Sequence, residues 1–339
     1  MVKRINASEV LGRRDRWIID VRSPGEFAAG HIPHSISLPL FTDEERAAVG
    51  TLYKKEGQHA AIELGLEFVG PKLSTFLRSA RDWAQEKPLT VMCWRGGKRS
   101  ASMAWLLQTG GLDVQVVDGG YKAFRQAGMD LLGRIRELRL LVGNTGSGKT
   151  LILEEMEKLG AQFIDLEGLA HHRGSAFGHL GMGEQPTTEQ FQNELFDVVG
   201  RMDLDQPIWV EGESITIGKC VVPNPLWDLM VEGDYWVVER SREERVQQIM
   251  TDYGGSATED LLGSLQRVSR KMGPQHAKKA GEFIVAGDLP SAIHLFLDYY
   301  DRFYEGGFDK RLGKCAGKIL GNGLSYSEVA KNILADSRL

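Results

Sequence analysis

A chain of 339 residues with 42% apolar and 26% charged side chains is long enough for about two globular domains, each with a buried core. A net charge of −5 excludes a chain that is basic throughout, so any contact with nucleic acid has to come from local patches. No stretch approaches the roughly 20 apolar residues of a membrane span, "MVKRINASEV" lacks the apolar core of a signal peptide, and cysteines 93, 220 and 315 make neither a zinc pattern nor an even disulfide set, so no membrane partner and a cytoplasmic location are expected.

The first 132 residues alternate strands and helices. "RWIIDVRS" (16–23) predicts a short strand closed by the Pro24-Gly25 turn, and "HSISLPL" (34–40) a second strand. "PKLSTFLRSARDWAQE" (71–86) has helical periodicity, and "PLTVMCW" (88–94) is a strand with a β-branched centre. "SASMAWLLQTGG" (100–111) reads as a helix stopped by glycines, "DVQVVDGG" (113–120) as a strand, and "YKAFRQAGMDLL" (121–132) as a helix. A second strand–glycine loop–helix pattern begins at "ELRLLVGNTGSGKTLILEEMEKLG" (137–160). The expected fold class is therefore α/β: a parallel-sheet domain over 1–132, then a P-loop NTPase-like α/β domain over 133–339 with a helical C-terminal part.

Two stretches carry chemistry. In "VMCWRGGKRSAS" (91–102), Cys93 ends a strand, and Gly96 and Gly97 allow the tight dihedrals of an anion-cradling loop. Arg95, Lys98 and Arg99 add positive charge just before a helix N-terminus, a setting that favours a thiolate over a thiol. A free cysteine is more often a small buried hydrophobe. The strand–Cys–loop–helix context instead makes Cys93 the catalytic candidate, and Cys220 and Cys315 lack that context. Arg99 follows Cys93 by six residues, the spacing of tyrosine-phosphatase-type loops, and one residue more than common sulfurtransferases use. Met92 stands where phosphatases place a histidine, so the loop alone specifies a thiolate facing a phosphate-sized anion and leaves the reaction open.

The second stretch, Gly143-Asn144-Thr145-Gly146-Ser147-Gly148-Lys149-Thr150, fits the P-loop pattern between an apolar strand and a helix. Its amides would wrap a di- or triphosphate, Lys149 would reach the terminal oxygens, and Thr150 with Glu211 would hold Mg²⁺. Strand alternation through "QPIWVEGES" (206–214) predicts that Glu211 and Glu213 point to the same side. His171, His172 and Arg173 lie in a glycine-rich polar loop. Adjacent histidines point apart and no third ligand is spaced with them, so contact with a ligand is expected rather than a metal. Two cation-rich runs follow, with Arg267, Arg270, Lys271, Lys278 and Lys279 in the first and Lys310, Arg311 and Lys314 in the second. Such runs are usually solvated faces; two in one domain of an acidic chain nominate a nucleic-acid backbone surface.

The flanks of the cysteine loop, "IIDVRSPGEFAAGHIPHSISLP" (18–39) and "VDGGYKAFRQAG" (117–128), resemble a rhodanese-type domain, in which the cysteine carries sulfur and Asp20, Arg22, Glu26 and His31 would support the fold and loop. Together with the P-loop, "DEERAAVGTLYKKEGQHAAIELGLEFV" (43–69), "DLEGLAHHRGSAFG" (165–178), "QPTTEQF" (185–191) and "VEGESITIG" (210–218), the whole chain resembles the bacterial tRNA 2-selenouridine synthases. That resemblance implies a transferase acting on tRNA with 2-thiouridine at the wobble position. Selenophosphate would be the selenium donor, an enzyme supplying it a partner, and geranyl diphosphate the alkylating co-substrate. Cys93 would handle selenium, as a perselenide, and the P-loop would hold geranyl diphosphate rather than ATP. The alternative is a sulfurtransferase or cysteine phosphatase fused to an ATP-dependent kinase-like domain, and a third reading is a non-catalytic tRNA-binding module.

Overall fold

The computed structural model describes residues 2–305 and 314–337. The chain divides into two units, 1–132 with 192–201, and 133–191 with 202–339.

In the first unit, β1 (Lys3–Ile5), β2 (Trp17–Asp20), α1 (Pro24–Ala29), β3 (Ile36–Ser37), α2 (Asp43–Glu56), α3 (Gln58–Val69) and α4 (Leu73–Ala84) precede β4 (Leu89–Met92). Then come α5 (Lys98–Thr109), β5 (Val114–Val117) and α6 (Gly120–Leu132). The five strands form a parallel sheet in the order β1-β5-β4-β2-β3. Every residue of β4 and β5 is buried, as a central parallel strand covered on both faces requires. The expected second strand shrinks to Ile36–Ser37, because Pro33 and Pro39 bracket it and cannot donate to a ladder. Residues 43–69 fold into two helices. The first is started by a Thr42–Glu45 capping box and carries acids in its first turn and lysines in its last, each favourable at that end of the helix dipole. Residues 192–201 join this unit through buried polar contacts: Asn193 Nδ2 donates to the Tyr121 hydroxyl at 2.7 Å, and Arg125 Nη1 donates to Asn193 Oδ1 at 3.0 Å.

In the second unit, β6 (Leu138–Val142) and α7 (Lys149–Lys158) are followed by β7 (Gln162–Ile164) and α8 (Leu166–Ala170). Next come α9 (Thr188–Val199), whose C-terminal part belongs to the first unit, β8 (Ile208–Glu211), β9 (Thr216–Ile217), β10 (Cys220–Val221), α10 (Asn224–Glu232) and β11 (Asp234–Glu239). The helical run is α11 (Arg242–Tyr253), α12 (Thr258–Met272), α13 (Pro274–Val285) and α14 (Leu289–Glu305), and the chain closes with β12 (Cys315–Leu320) and α15 (Tyr326–Asp336). A second five-stranded parallel sheet has the order β12-β11-β6-β8-β7, with β9 and β10 as a separate antiparallel pair. Leu141, Ile152, Trp209, Trp236 and Ile333 are buried between this sheet and its helices. Leu265, Ile284, Phe296 and Leu297 form a separate core among α11–α14. Among the described residues no helix is long and apolar enough to cross a membrane.

Both units thus place a strand that ends in a glycine loop at the middle of a parallel sheet: β4 between β2 and β5, and β6 between β8 and β11. Ligands of open α/β sheets bind outside the carboxyl ends of such strands.

Candidate functional site

Cys93 follows β4 directly and is only 3% exposed. Its Sγ lies 3.2 Å from the Ser100 hydroxyl, which in turn donates to the Gly97 carbonyl at 3.2 Å. The chain returns beneath this loop: Tyr121 N–H donates to the Cys93 carbonyl at 2.9 Å and Lys122 N–H to that of Trp94 at 3.0 Å. So close an approach demands glycine at 120, where φ is +60° and a Cβ would sit 2.1 Å from the Cys93 carbonyl oxygen. Gly97 caps α5, Gly96 is buried in the turn, and Arg95 and Lys98 are exposed. Arg99 is engaged elsewhere: its Nη1 donates to Glu26 Oε2 at 2.8 Å, and Arg46 stands 3.7 Å from the same oxygen. Burial pushes the Glu26 carboxyl up, but the Arg99 hydrogen bond and the charges of both arginines outweigh it and hold Glu26 below its ordinary value. Asp20 and Arg22 form a buried ion pair at 2.6 Å, and the Arg22 guanidinium lies over the Tyr121 ring, so both brace the segment beneath the loop. His31 is tied to the Phe27 carbonyl at 3.0 Å and stacked on the Phe27 ring.

In the second unit, residues 143–148 link β6 to α7, and Gly148 caps the helix with φ +74°, where a Cβ would strike the Tyr326 ring. Lys149 Nζ donates to the Gly143 carbonyl at 3.2 Å, so the ammonium curls over its own loop. Thr150 Oγ1 donates to Glu211 Oε1 at 2.8 Å, and the Leu166 N–H donates to Glu211 Oε2 at 3.2 Å. Glu211 is wholly buried on the neighbouring strand. Glu213 lies beyond that strand, not on it: its N–H turns back onto the Glu211 carbonyl at 2.8 Å, so the two acids are related by a turn instead of by strand alternation. Both nonetheless reach the P-loop region, where Asp165 and Glu167 join them from the segment after β7.

Burial raises all four carboxyls. Glu167 is pushed well above its ordinary value by burial first, then by the charges of Glu213 and Glu211. Burial, with Asp165 and Glu213 adding to it, carries Glu211 up to about 8. Glu213 and Asp165 rise mainly by burial, Lys149 opposing the shift in Glu213. Among the described residues no group of three His, Cys, Asp or Glu side chains is arranged to hold a metal ion. The Thr150–Glu211 oxygen pair still suits Mg²⁺, which takes one or two protein oxygens and completes its shell with phosphate and water.

A cavity of about 860 Å³ opens from the P-loop. Lys149, Thr150, Glu167 and Glu213 line it together with Trp227, Met230, Tyr253 and Tyr299. His172 and Arg173 face it, with Arg173 held by the Leu180 carbonyl at 3.1 Å. His172 is nine-tenths buried, and burial, then His179 and Arg267, lowers its affinity for a second proton, so it stands neutral. His171 is exposed and bound to the Glu184 carbonyl, away from the cavity lining. Of the cations in the first basic run, Arg267 and Lys271 lie one turn apart on α12 and line the cavity; Arg270, Lys278 and Lys279 are exposed elsewhere, as is Lys314. Lys310 and Arg311 lie outside the described residues. Sequence reasoning missed Asp165, Glu167 and the aromatic side chains; an acid just after the apolar "QFI" strand was the available signal for the first two.

The profile of a rhodanese-like domain matches residues 2–127, and that of a tRNA 2-selenouridine synthase AAA domain matches residues 136–319. A tRNA 2-selenouridine synthase of Alcanivorax borkumensis is 39% identical over 353 residues, covering 93% of this chain and 94% of the relative. That of Psychromonas ingrahamii is 33% identical, covering 87% and 88%. That of Aeromonas salmonicida is 42% identical over 246 residues, where the match spans 70% of this chain and 64% of the relative. With both halves matched in order and relatives aligned along nearly their whole length, the chain belongs to the tRNA 2-selenouridine synthase family.

Proposed function

We propose that this chain is a tRNA 2-selenouridine synthase that exchanges the sulfur of wobble 2-thiouridine for selenium by way of an S-geranyl intermediate. The observation that carries the reading is the joint lining of one cavity by a P-loop, aromatic and apolar side chains and two α12 cations. A nucleoside triphosphatase needs only the first of these. A prenyl diphosphate and a nucleobase with flanking phosphates need all three.

In the first step the 2-thio sulfur attacks C1 of the geranyl chain, the C1–O bond breaks, diphosphate departs with the electron pair, and the N3 proton is lost from the base. The loop amides and Lys149 hold the diphosphate and stabilise the charge that grows on it. Thr150 and Glu211 are the residues that would hold Mg²⁺, which when bound supplies further positive charge to the leaving group. Arg267 and Lys271 grip tRNA phosphates at the cavity, while Arg270, Lys278, Lys279 and Lys314 extend the contact. S-alkylation makes C2 far more open to displacement, because a thiol leaves more readily than sulfide. Selenophosphate then supplies the selenium, geranyl thiol leaves, and water releases phosphate. The Cys93 loop, with exposed Arg95 and Lys98, is the site for that selenium donor.

The test is nucleoside mass spectrometry on 2-thiouridine-containing tRNA incubated with geranyl diphosphate and selenophosphate, each omitted in turn. S-geranyl-2-thiouridine should accumulate without selenophosphate, and 2-selenouridine should form only when both are present. Selenouridine formed without geranyl diphosphate, or a requirement for ATP in its place, overturns the proposal.

A further inference from the structure

The helices α11–α14 present their apolar faces to one another, and between them lies a second, smaller recess of about 40 Å³. Beyond its mouth it is walled by apolar groups, among them Phe177, Leu261, Ile284, Ala292, Phe296 and Leu297, each less than a tenth exposed. Thr145, Ser175, Ile249, Tyr253 and Tyr300 line both this recess and the P-loop cavity, so these residues stand between two adjacent spaces.

The polar groups there satisfy one another. The Ala176 N–H donates to the Tyr300 hydroxyl at 3.2 Å, and the Ser175 hydroxyl is hydrogen-bonded to the hydroxyls of both Tyr253 and Tyr300. The P-loop itself is tied to the same helices: Arg245 Nε donates to the Thr145 carbonyl at 2.8 Å and its Nη2 pairs with Asp301 at 2.6 Å. A space of this size exceeds the roughly 10–15 Å³ that one water needs, but without polar partners it stays dry and suits a few carbon atoms.

A phosphate cradle beside a dry apolar recess, with only the Ser175, Tyr253 and Tyr300 hydroxyl cluster and its neighbours between them, fits a ligand with a diphosphate head and a short hydrocarbon tail that displaces that cluster on binding. We infer that the recess takes the distal end of the donor's isoprenoid chain, and that its depth sets the chain length the enzyme uses. This rests on the reading of the P-loop as a prenyl diphosphate site. Each methylene taken out of water favours binding about fourfold, so one five-carbon unit gained or lost changes the preference strongly.

The experiment compares transfer rates to a 2-thiouridine-containing anticodon stem-loop from dimethylallyl, geranyl and farnesyl diphosphates, for the wild-type chain and for two variants. Ala292→Leu fills the recess, and the geranyl-to-dimethylallyl ratio should fall at least tenfold. Leu297→Ala deepens it, and the farnesyl-to-geranyl ratio should rise at least fivefold. Ratios within one preparation are insensitive to a partly unfolded fraction, and either variant alone is decisive if the other fails to fold. Ratios unchanged in a folded variant, with wild-type transfer intact, reduce the recess to a packing gap and overturn the inference. No transfer from any of the three donors by the wild type overturns the prenyl-diphosphate reading beneath it.

Discussion

The loop after β4 and the loop after β6 are the same backbone device: a central parallel strand, a glycine turn and a helix N-terminus. They differ in the charge around them. The Cys93 loop shows the cations Arg95 and Lys98 to solvent, and Glu26, the acid that binds its Arg99, is paired with both Arg99 and Arg46. The P-loop has one lysine facing Glu167, Glu211 and Glu213, of which Glu211 is wholly buried and the other two half-buried. An anion at the first loop would meet exposed cations. At the second, its charge adds to that of the carboxylates unless they keep their protons or a divalent cation comes with it. On our proposal, the first loop takes an anion alone and the second an anion with its counter-ion.

The strongest way to break this comparison is to disable each loop separately. Lys149→Ala should lower geranyl transfer roughly 10²–10³-fold, the usual loss when one preorganised donor to a developing anion is removed, yet tRNA supplied already S-geranylated should still be converted to selenouridine. Cys93→Ser should do the reverse, with S-geranyl tRNA accumulating and selenation falling about 10²-fold or more. Both are read by nucleoside mass spectrometry, and a variant that lost both steps equally would remove the division of labour.

Glu211→Gln sharpens the second half of the comparison. Glu211 titrates near 8 in the folded chain against about 4.5 when unfolded, so the folded state holds the extra proton between those values. Stability therefore falls as pH rises from about 4.5 to 8, and the apo wild type should melt a few degrees lower at pH 8 than at pH 6. Glutamine keeps acceptor and donor for Leu166 and Thr150 but cannot ionise, so the variant should lose much of that slope and be the more stable at pH 8. The cation needs the carboxylate, so wild-type affinity for Mg²⁺ with diphosphate should rise as pH climbs from 6 to 8. The variant's affinity should be about 10–100-fold lower and climb less steeply with pH, since Glu167, Glu213 and the diphosphate itself still titrate; calorimetry across this range reads both.

What was legible beforehand follows from how local each feature is. Cys93 to Ser100 and Gly143 to Thr150 are contiguous, and strand, loop and helix are written in adjacent residues, so both loops and the α/β class could be read directly. Glu167, Tyr253 and Trp227 reach the cavity from three separate elements, and only folding brings them beside Lys149. The capture of residues 192–201 by the first unit depends on Asn193 meeting Tyr121 and Arg125 across about seventy residues of chain, a pairing with no local signal. The basic runs were legible as charge but not as aim: among their described residues, Arg267 and Lys271 alone line the cavity. Reversing Arg270 and Lys271 to glutamate should weaken tRNA binding several-fold at low salt and less at high salt, with a shallower salt slope. The same binding isotherm for Lys278→Glu with Lys279→Glu should shift less.

The smallest expected effect tests why the first loop is left cationic. Glu26 pairs with Arg99, and its carboxyl, kept below the ordinary value, is ionised wherever the protein is folded near neutrality. A depressed carboxyl contributes stability that is complete above its unfolded value, near 4.5, and is lost as pH falls through the lower folded value. Because Arg46 is half exposed, the whole arrangement should be worth only about 1 kcal/mol. Glu26→Gln should thus lower the melting temperature at pH 7 by about 2–4 °C, and the difference from wild type should close as pH drops below 4. The same substitution releases Arg99, so affinity for an inorganic anion at the Cys93 loop, measured by competition with phosphate, should rise even as stability falls. If both fall together, Glu26 shapes the loop instead of restraining its third cation.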